Sequence, residues 1–311
     1  MPTPTAFFQG DFVPLEQAQI PVTTHAFNYG TAVFEGIRGN WNGEQNELYL
    51  FRLREHIQRL RQNAKILRIG IRYSDEELIR IVTDLALRND YREDVYIRPI
   101  AYKSQSVIGP RLHNVEDDVL FYLIPLGAYL DSDSGITCTV SSWRRVDDNM
   151  IPARAKVAGL YVNNSLAKTE AQQNGFDEAI LLNHDGHVSE GSGENIIIVR
   201  GGKLISPPPA DNILEGITLD TAFEIARSLG YETEQRTIDR TELYIADEIF
   251  MTGTAAHVTP VLSVDRVPLN EGKPGPITTA IQRHFFEAIT GRLPQYASWL
   301  TPVYAGAAVT A

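Results

Sequence analysis

Apolar and polar positions follow two different periods along this chain, and their mixture predicts an α+β fold. In several segments apolar residues recur every three or four positions, as they do on the buried face of an amphipathic helix. Such helices are predicted near residues 53–67, 75–89, 161–174 and 217–229. Shorter segments rich in β-branched and aromatic residues predict strands at 94–102, 119–125 and 136–142.

The segment 126–135 is rich in small and polar residues and is the best candidate for a linker. It divides the chain into a predicted small N-terminal domain, residues 1–125, and a predicted larger domain, residues 136–311. A chain of 311 residues is long enough to form two domains of typical size.

Charge and composition argue against several classes of binding partner. The chain has 28 Lys and Arg residues against 39 Asp and Glu residues, and its net charge of −11 disfavours binding to nucleic acid or to an anionic membrane. No apolar run is long enough to span a bilayer, and the N-terminus lacks the pattern of a signal peptide. With the single cysteine, Cys138, these features predict a cytoplasmic protein without an intrachain disulfide. The seven histidines are scattered, so no metal site is predicted.

Lys156 is the first candidate for chemistry, because its neighbours are almost all small or apolar. Desolvation among such residues favours the neutral amine, which is a nucleophile toward aldehydes. The alternative is an ordinary lysine at the edge of a strand, and the segment alone leaves the two interpretations evenly matched. The other lysines have charged, polar or glycine-rich neighbours and are predicted at the solvated surface: Lys65, Lys103, Lys168, Lys203 and Lys273.

A lysine that forms a Schiff base with pyridoxal 5′-phosphate needs an acid for the pyridine nitrogen and a cradle for the phosphate. Residues 178–200 predict two successive strands joined by an Asn-His-Asp-Gly turn. Glu190 stands where the chain leaves a strand, and Gly191 and Gly193 would let the backbone approach a planar ligand. Glu190 is therefore the candidate acid. The alternative is that Glu190 and Glu194 are polar loop residues.

The predicted helix at 217–229 offers the phosphate cradle. Its first turn, with Gly216, Ile217 and Thr218, would present backbone amides, the positive end of a helix dipole and a hydroxyl group. Thr218 could instead be only an N-terminal capping residue.

Two arginines and one turn add candidate ligands. Arg59 lies on the predicted helix at 53–67, where it could assist a phosphate or be a solvated arginine on an exposed face. The small residues 253–256 follow a strand and offer backbone amides to a carboxylate or phosphate, although a tight turn alone would also explain them. Arg98 lies in a predicted strand and would be partly buried, so it needs a carboxylate partner from the protein or from a substrate.

Seven short segments of this chain, taken in order, carry a resemblance to a known family of enzymes, which has the same segments in the same order and with the same spacing. They are Tyr-Gly-Thr-Ala-Val-Phe-Glu-Gly-Ile-Arg (29–38), Tyr-Ile-Arg-Pro (96–99), Gly-Ala-Tyr-Leu (127–130), Lys-Val-Ala-Gly-Leu-Tyr (156–161), Ser-Glu-Gly-Ser-Gly-Glu-Asn (189–195), Leu-Glu-Gly-Ile-Thr (214–218) and Met-Thr-Gly-Thr-Ala-Ala (251–256). Together they resemble the branched-chain amino acid aminotransferases, which are class IV, fold type IV, pyridoxal phosphate enzymes. The similarity runs from about residue 7 to the C-terminal region.

The resemblance implies an α+β fold with a small α/β N-terminal domain, a larger C-terminal pseudo-barrel domain and pyridoxal 5′-phosphate as cofactor. It implies transamination of branched-chain L-amino acids with 2-oxoglutarate, giving branched 2-oxo acids and L-glutamate, as a transferase of amino-acid biosynthesis. Amino acids and 2-oxo acids would be its small-molecule partners, and the protein would be a homodimer or higher homo-oligomer.

The resemblance also implies roles for individual residues. Lys156 matches the Schiff-base lysine, Tyr161 the donor to the cofactor phenolate, and Glu190 the carboxylate at the pyridine nitrogen. The phosphate-binding positions are matched by Arg59, Gly216, Ile217, Thr218 and Thr254. The substrate pocket is matched by Tyr29, Phe34, Gly36, Arg38, Tyr96, Arg98, Tyr129, Thr254, Ala255 and Ala256.

The sequence departs from the family pattern at three places, which leave the width of the substrate pocket open. Leu126 stands where many members have tryptophan, and His257 stands where they often have glutamate. The loop 104–114 also differs and brings Arg111 and His113.

Three alternatives stay open at this point. A transaminase of the same fold for D-amino acids or (R)-amines would share every cofactor residue, although Arg38, Tyr96 and Arg98 favour L-amino acids. An aminodeoxychorismate lyase of the same fold would eliminate pyruvate instead of exchanging amines. A non-enzymatic acidic binding protein would bind no cofactor.

Overall fold

The computed structural model describes residues 3–127 and 129–307, and the chain forms two compact units. The first unit consists of Met1–Gly127, Ala155–Gly159 and Glu287–Ala311, and the second of Ala128–Arg154 and Leu160–Phe286. The first unit ends inside the predicted linker, 126–135, of which Ala128 lies outside the described residues. It also takes in two later segments that the sequence prediction assigned to residues 136–311.

Seven α-helices and seventeen strands lie within the described residues. The helices are α1 (His25–Tyr29), α2 (Leu53–Ile66), α3 (Asp75–Asn89), α4 (Tyr161–Gln173), α5 (Ile217–Ser228), α6 (Pro276–Ile289) and α7 (Tyr304–Ala307). The strands are β1 (Thr5–Phe8), β2 (Asp11–Pro14), β3 (Ala32–Phe34), β4 (Ile37–Asn42), β5 (Glu47–Phe51), β6 (Val95–Lys103), β7 (Asp117–Pro125), β8 (Ile136–Arg144), β9 (Glu178–Leu182), β10 (Val188–Gly191), β11 (Asn195–Arg200), β12 (Lys203–Ser206), β13 (Thr233–Gln235), β14 (Glu248–Gly253), β15 (His257–Val264), β16 (Val267–Pro268) and β17 (Leu300–Pro302). The predicted helices are confirmed as α2, α3, α4 and α5, and the three predicted strands as β6, β7 and β8.

The described part of the first unit contains an eight-stranded antiparallel sheet. Its strand order is β17-β5-β4-β6-β7-β1-β2, and β3 pairs with β6 beside this path. Helices α2 and α3 pack against each other, α2 against β3 and β6, and α3 against β1 and β7. On α2 the buried face includes Ile57, Leu60 and Ala64, which confirms the spacing of the apolar stripe.

A buried carboxylate holds the C-terminal part of the chain in the first unit. Strand β17 pairs antiparallel with β5, and Glu47 at the start of β5 is 4% exposed. Its Oε1 accepts from the N–H groups of Val303 and Tyr304 at 2.9 and 2.8 Å, and its Oε2 accepts from the N–H of Ala305 at 2.7 Å. Hydrogen bonds to a charged acceptor are stronger than neutral ones, so Glu47 fixes residues 303–305, and with them the register of β17 on β5.

The described part of the second unit contains a nine-stranded mixed sheet. Its order is β10-β9-β8-β15-β14-β11-β12-β13, and β16 pairs with β15 beside this path. The pairs β8 with β9, β8 with β15 and β12 with β13 are parallel. Strand β11 is apolar and buried at nearly every position, which is typical of a strand covered on both faces.

The alternating side chains of β9 pack into two different hydrophobic clusters of this unit, one on each face of the strand. Ala179 and Leu181 cluster with Ala167 and Ala171 of α4, whereas Ile180 belongs to the main core. Successive side chains point to opposite faces of a strand, so one short apolar run serves both layers.

The prediction of two strands for residues 178–200 is wrong, because the structure has three. The chain turns after β10, where the N–H of Gly191 donates to the carbonyl oxygen of Glu194 at 2.7 Å. This turn at residues 191–194 separates β10 from β11 and gives Glu190 its position near the end of β10.

Cys138 lies in β8 and is fully buried in the core of the second unit. Burial raises the pKa of its thiol well above the ordinary value, so an unreactive packing role follows. Across residues 3–127 and 129–307, none of the helices combines the length and apolar character needed to cross a membrane.

Candidate active site

The Lys156 segment is attached to the first unit by backbone hydrogen bonds. The N–H of Phe34 in β3 donates to the carbonyl oxygen of Lys156 at 3.0 Å, and the N–H of Gly159 donates to that of Gly30 at 3.2 Å. Val33 and Val157 form an antiparallel bridge between these two bonds. The lysine therefore lies on an extended segment beside β3, and not on a mobile loop.

The surroundings of Lys156 agree with its predicted chemistry. Ala155 and Val157 on either side are 0% and 5% exposed, and Lys156 itself is half-buried. Its Nζ lies 5.4 Å from the centre of the Phe34 ring. The amine is thus held in a partly desolvated setting beside an aromatic ring.

Arg59 is not the solvated arginine that its helix position allowed. Its side chain is 12% exposed, and its Nε and Nη2 donate to the two carboxylate oxygens of Glu35 at 2.7 Å each. His56, one turn earlier on α2, lies with Nδ1 2.9 Å from Oε2 of Glu35. Glu35 is completely buried, and the two-pronged contact fixes the plane of the guanidinium group.

The charges in this cluster are settled by burial and pairing. Burial alone would raise the pKa of Glu35, but the charge and hydrogen bonds of Arg59, with the hydrogen bond from His56, hold this pKa well below its ordinary value. Burial lowers the pKa of His56. Glu35 is therefore ionised at neutral pH, and His56 is neutral and donates its Nδ1–H to it.

Three predicted substrate residues share one face of the first sheet. Arg38 of β4 lies opposite Tyr96 of β6, and Arg98 follows two positions later on the same face. Nη2 of Arg98 donates to the hydroxyl oxygen of Tyr96 at 2.9 Å, and its guanidinium lies 4.3 Å from the centre of the Phe34 ring. Gly36 is required here, because a Cβ at this position would overlap the Tyr96 hydroxyl group.

Both arginines of this face keep donors that reach no acceptor within the described residues. Arg38 is 2% exposed, its Nη2 donates to the carbonyl oxygen of Gly127 at 2.8 Å, and Asp94 lies 3.8 Å away. Within the described residues no acceptor lies in reach of Nε and Nη1 of Arg38 or of Nε of Arg98. Burial lowers the pKa of Arg38, against the charge of Asp94. This face therefore suits an anionic ligand group.

Tyr29 lies apart from these contacts, at the C-terminal end of α1, and is 36% exposed. Its hydroxyl oxygen accepts from the N–H of Gly109 at 2.9 Å, and its ring lies 4.8 Å from that of His25. Tyr29 therefore supports the loop 104–114, which carries Arg111 and His113.

Glu190 is the centre of a buried network in the second unit. It is 5% exposed, and its Oε1 lies 2.6 Å from Nη2 of Arg145. Its Oε2 accepts from Nδ2 of Asn195 and from the N–H of Leu214, both at 2.9 Å. An arginine at this distance favours the ionised carboxylate. The alternative that Glu190 is a solvated loop residue is wrong.

The same network reaches the start of α5. Nδ2 of Asn195 also donates to the carbonyl oxygen of Leu214 at 2.8 Å, and its amide oxygen lies where a Cβ of residue 216 would be. Gly216 is therefore the residue that fits, and it caps the helix without a side-chain bond. Ile217 and Thr218 form the first turn and are buried, so Thr218 is not the capping residue. The first amides of α5 suit an anion.

The other predicted residues of the second unit lie at turns and at a helix start. Thr254, Ala255 and Ala256 form the turn between β14 and β15, and the carbonyl oxygen of Ala256 accepts from the Thr259 hydroxyl at 2.7 Å. Tyr161 is the first residue of α4.

Tyr129 is 49% exposed, so its ring could line a substrate pocket only on the solvent-accessible side. Its ring lies 5.9 Å from Nζ of Lys168, and burial raises the pKa of its hydroxyl group.

Sequence reasoning missed several residues of these networks and misplaced one lysine. Glu35, His56, Arg145 and Asn195 had no predicted role, although Glu35 and Asn195 stand inside the segments that carried the resemblance. The prediction that Lys103 is solvated is wrong: it is 1% exposed, and its Nζ lies 2.7 Å from Asp117 and 2.6 Å from the carbonyl oxygen of Arg68.

Comparison with known proteins adds independent findings. The family amino-transferase class IV matches residues 32–264. A protein of Aquifex aeolicus (strain VF5), named probable branched-chain-amino-acid aminotransferase, is 51% identical over 300 residues, which are 96% of this chain and 96% of that protein.

Two solved structures are also similar over nearly their whole length. Branched-chain aminotransferase from the thermophilic archaeon Thermoproteus uzoniensis, with norvaline, has a TM-score of 0.93 at 45% identity and covers 96% of this chain and 99% of that one. Branched-chain amino acid aminotransferase from Thermobaculum terrenum, in its holo-form with pyridoxal phosphate, has a TM-score of 0.93 at 40% identity, over 97% of this chain and 99% of that one.

The Glu35 cluster generates a prediction for stability. Glu35→Gln leaves the buried guanidinium of Arg59 without its countercharge, and breaking such a pair should cost about 3–5 kcal/mol of unfolding free energy at neutral pH. Because the folded pKa of Glu35 lies below 4.5, the contribution of its charge is present above pH 4.5 and is lost as the pH falls below that value. Urea unfolding of both proteins across this range measures the difference.

A matched control comes from α2, the helix that carries Arg59. Glu55 pairs with Arg52 but is 37% exposed, so Glu55→Gln should cost less than about 1 kcal/mol at any pH. Equal stabilities of wild type and Glu35→Gln at neutral pH would contradict the assigned ion pair.

Proposed function

Because the chain belongs to the branched-chain amino acid aminotransferases of class IV, we propose that it transfers the amino group of leucine, isoleucine and valine to 2-oxoglutarate. The products are branched 2-oxo acids and L-glutamate, and the cofactor is pyridoxal 5′-phosphate. The resemblance found in seven sequence segments is confirmed, and with it the α+β, fold type IV architecture. The proposal is carried by one observation: in the first unit, buried arginine donors that reach no acceptor among residues 3–127 and 129–307 lie beside an aromatic ring.

The residues present fit the cofactor. A half-buried lysine suits its aldehyde, the buried and ion-paired Glu190 suits a protonated pyridine nitrogen, and the first amides of α5 suit its phosphate. When bound, pyridoxal 5′-phosphate supplies an aldehyde for amines and a ring that accepts electrons. Tyr161 would donate to the phenolate oxygen, and the phosphate would be bound by Arg59, Gly216, Ile217, Thr218 and Thr254.

The protein's own groups then have defined tasks. Lys156 moves a proton at Cα of the substrate, because its amine is partly desolvated beside Phe34. Glu190 holds a proton on the pyridine nitrogen, and Arg145 and Asn195 hold Glu190 in place and charged. Glu35 orients Arg59 toward the phosphate through its two-pronged contact.

One pocket must accept both an aliphatic and an acidic side chain in alternate half-reactions. The apolar surface comes from Phe34, and the aromatic ring of Tyr96 adds a polar tip. The cation comes from Arg98, which Tyr96 orients, and from Arg38. We assign the pocket to these residues with Tyr29, Gly36, Tyr129, Thr254, Ala255 and Ala256. An aliphatic side chain can pack on the rings and leave the donors unused, whereas a carboxylate pairs with them.

The first test is chemical labelling together with a substrate panel. Purified protein incubated with pyridoxal 5′-phosphate and reduced with borohydride should carry pyridoxyl on the peptide that contains Lys156. With 2-oxoglutarate, L-leucine, L-isoleucine and L-valine should react faster than D-alanine and (R)-1-phenylethylamine. Labelling at Lys103 or Lys168 instead would refute the assigned lysine, and a preference for the D-amino acid or the amine would refute the proposed substrates.

The second test separates the two half-reactions. Arg98→Ala should impair the half-reaction with glutamate or 2-oxoglutarate by about 2–5 kcal/mol, because the substrate carboxylate then loses one of its two arginine partners. The half-reaction with leucine should change far less, and single-turnover absorbance changes measure each half separately. Arg80→Ala, at an exposed position of α3, is the control for loss of an arginine. Equal losses in both halves would mean that Arg98 is structural.

We further propose a cytoplasmic homodimer or higher homo-oligomer. The exposed apolar residues Val22, Phe27 and Ile108 are 78%, 67% and 76% exposed and lie on neighbouring segments, because Thr24 bridges Ser106. Clustered apolar surface of this kind marks interaction sites. Analytical ultracentrifugation of wild type and of a Phe27→Asp variant tests this assignment. A wild-type sedimentation coefficient of a monomer at micromolar concentration would disprove it.

A further inference from the structure

Two carboxyl groups of the second unit are buried side by side. Glu178 at the start of β9 is 0% exposed, Glu194 in the turn before β11 is 5% exposed, and their side chains lie close enough to share a hydrogen bond. Nζ of Lys168 lies 2.6 Å from Oε2 of Glu178, and the N–H of Ala179 donates to Oε1 at 2.7 Å. A hydrogen bond between two carboxyl groups requires a proton on one of them.

The charges around the pair indicate which group holds the proton. One positive charge, Lys168 of α4, faces both acids and makes its direct contact with Glu178. Among the described residues, Cys138 of β8 and Tyr129 interact electrostatically with both acids, and neither of them is a cation. Two ionised carboxylates would therefore leave a buried negative charge unmatched, so Glu194 is the group that stays neutral.

The titration of Glu194 agrees with this geometry. Burial, followed by the charge of Glu178, raises the pKa of Glu194 from 4.5 to about 8, against the opposing charge of Lys168 and the hydrogen bond from the N–H of Gly193. The pair as a whole thus binds one proton at neutral pH and releases it in mildly alkaline solution.

Glu194 also touches both turns that carry proposed ligands. The turn after Glu190 is closed by the carbonyl oxygen of Glu194, and a Cβ at Gly191 would come within 3.1 Å of its side-chain Oε2. A Cβ at Gly253, directly before Thr254, would come within 3.2 Å of Cγ of Glu194. One side chain therefore packs against the turn of Glu190 and against the turn of Thr254.

We propose that Glu194, protonated and donating to Glu178, is a positioning residue that holds these two turns, and that loss of its proton in alkaline solution loosens them. The inference rests on the proposed function, since the turns matter through Glu190 and Thr254. It assigns Glu194 no contact with substrate or cofactor. A neutral amide of the same shape should take over the role, because it can also donate to Glu178.

The first experiment compares pH profiles of the holoenzyme with L-leucine and 2-oxoglutarate. Glu194→Gln should be active at neutral pH and should keep its activity as the pH rises through about 8, whereas wild type should lose activity there. The ratio of the two activities cancels the titration of substrate and of Lys156. Glu194→Ala, which removes the packing between the turns, should lose on the order of 10- to 100-fold in kcat at neutral pH. Identical profiles of wild type and Glu194→Gln would overturn the proposal.

The second experiment needs no activity and uses the apoprotein. Because the folded pKa of Glu194 is raised, its stabilising effect is complete below pH 4.5 and is lost as the pH rises to about 8. The unfolding free energy of Glu194→Gln minus that of wild type should therefore grow between pH 4.5 and about 8 and be constant above. Glu232→Gln, whose side chain is 79% exposed, is the control and should show no such growth.

A third measurement on wild type alone covers the case in which Glu194→Gln fails to fold. The infrared spectrum should contain the carbonyl band of a protonated carboxyl group at neutral pH, and the band should disappear above pH about 8. Its absence at neutral pH would overturn the shared proton. If the band and the stability difference are found but the protein transfers no amino group, the proposed function fails and the positioning role fails with it, while the protonated pair stands.

Discussion

The ion pair between Arg145 and Glu190 is the contact on which the proposed cofactor-binding part of the second unit depends. A carboxylate that is 5% exposed stays ionised only if its charge and lone pairs are matched, and Arg145, Asn195 and the N–H of Leu214 match them. Asn195 has a second task, since its amide also binds the carbonyl oxygen of Leu214 and packs against Gly216. Glu190, which we propose for the pyridine nitrogen, and the first turn of α5, which we propose for the phosphate, are therefore held by one network.

The same constraint explains the buried charges elsewhere. Glu35 is matched by Arg59 and His56, and Glu178 by Lys168. Burial of one partner without the other would cost several kcal/mol, so each pair fixes the elements that carry it. In the first unit this couples β3 to α2, which places Arg59 relative to the Lys156 segment.

Most local parts of this structure could be predicted from the sequence, and the non-local parts could not. Helices α2 to α5 were predicted because their apolar period lies within one segment. The turn that separates β10 from β11 is a local feature that was missed, since its backbone bond joins Gly191 to Glu194 three positions later. Lys103 was misplaced because its partners, Asp117 and the carbonyl oxygen of Arg68, come from other segments. Arg145 has no local signal of its role at all. The proposed roles of Lys156, Tyr161 and Glu190 came from the resemblance, because a residue type and its neighbours do not specify a partner.

Four arginines of the proposed site fall into two groups according to their hydrogen bonds. Arg59 and Arg145 are buried and matched by protein carboxylates, so they hold other residues in place. Arg38 and Arg98 have donors that no acceptor within the described residues reaches. Gly36 leaves room for the hydroxyl group of Tyr96, which accepts a hydrogen bond from Arg98. Leaving buried donors unmatched costs free energy of folding, and functional sites are where such a cost is tolerated. The side-chain carboxylate of glutamate or 2-oxoglutarate would pair with these donors in one half-reaction, and leucine would leave them unpaired in the other. A pocket that accepts both leucine and glutamate needs this property.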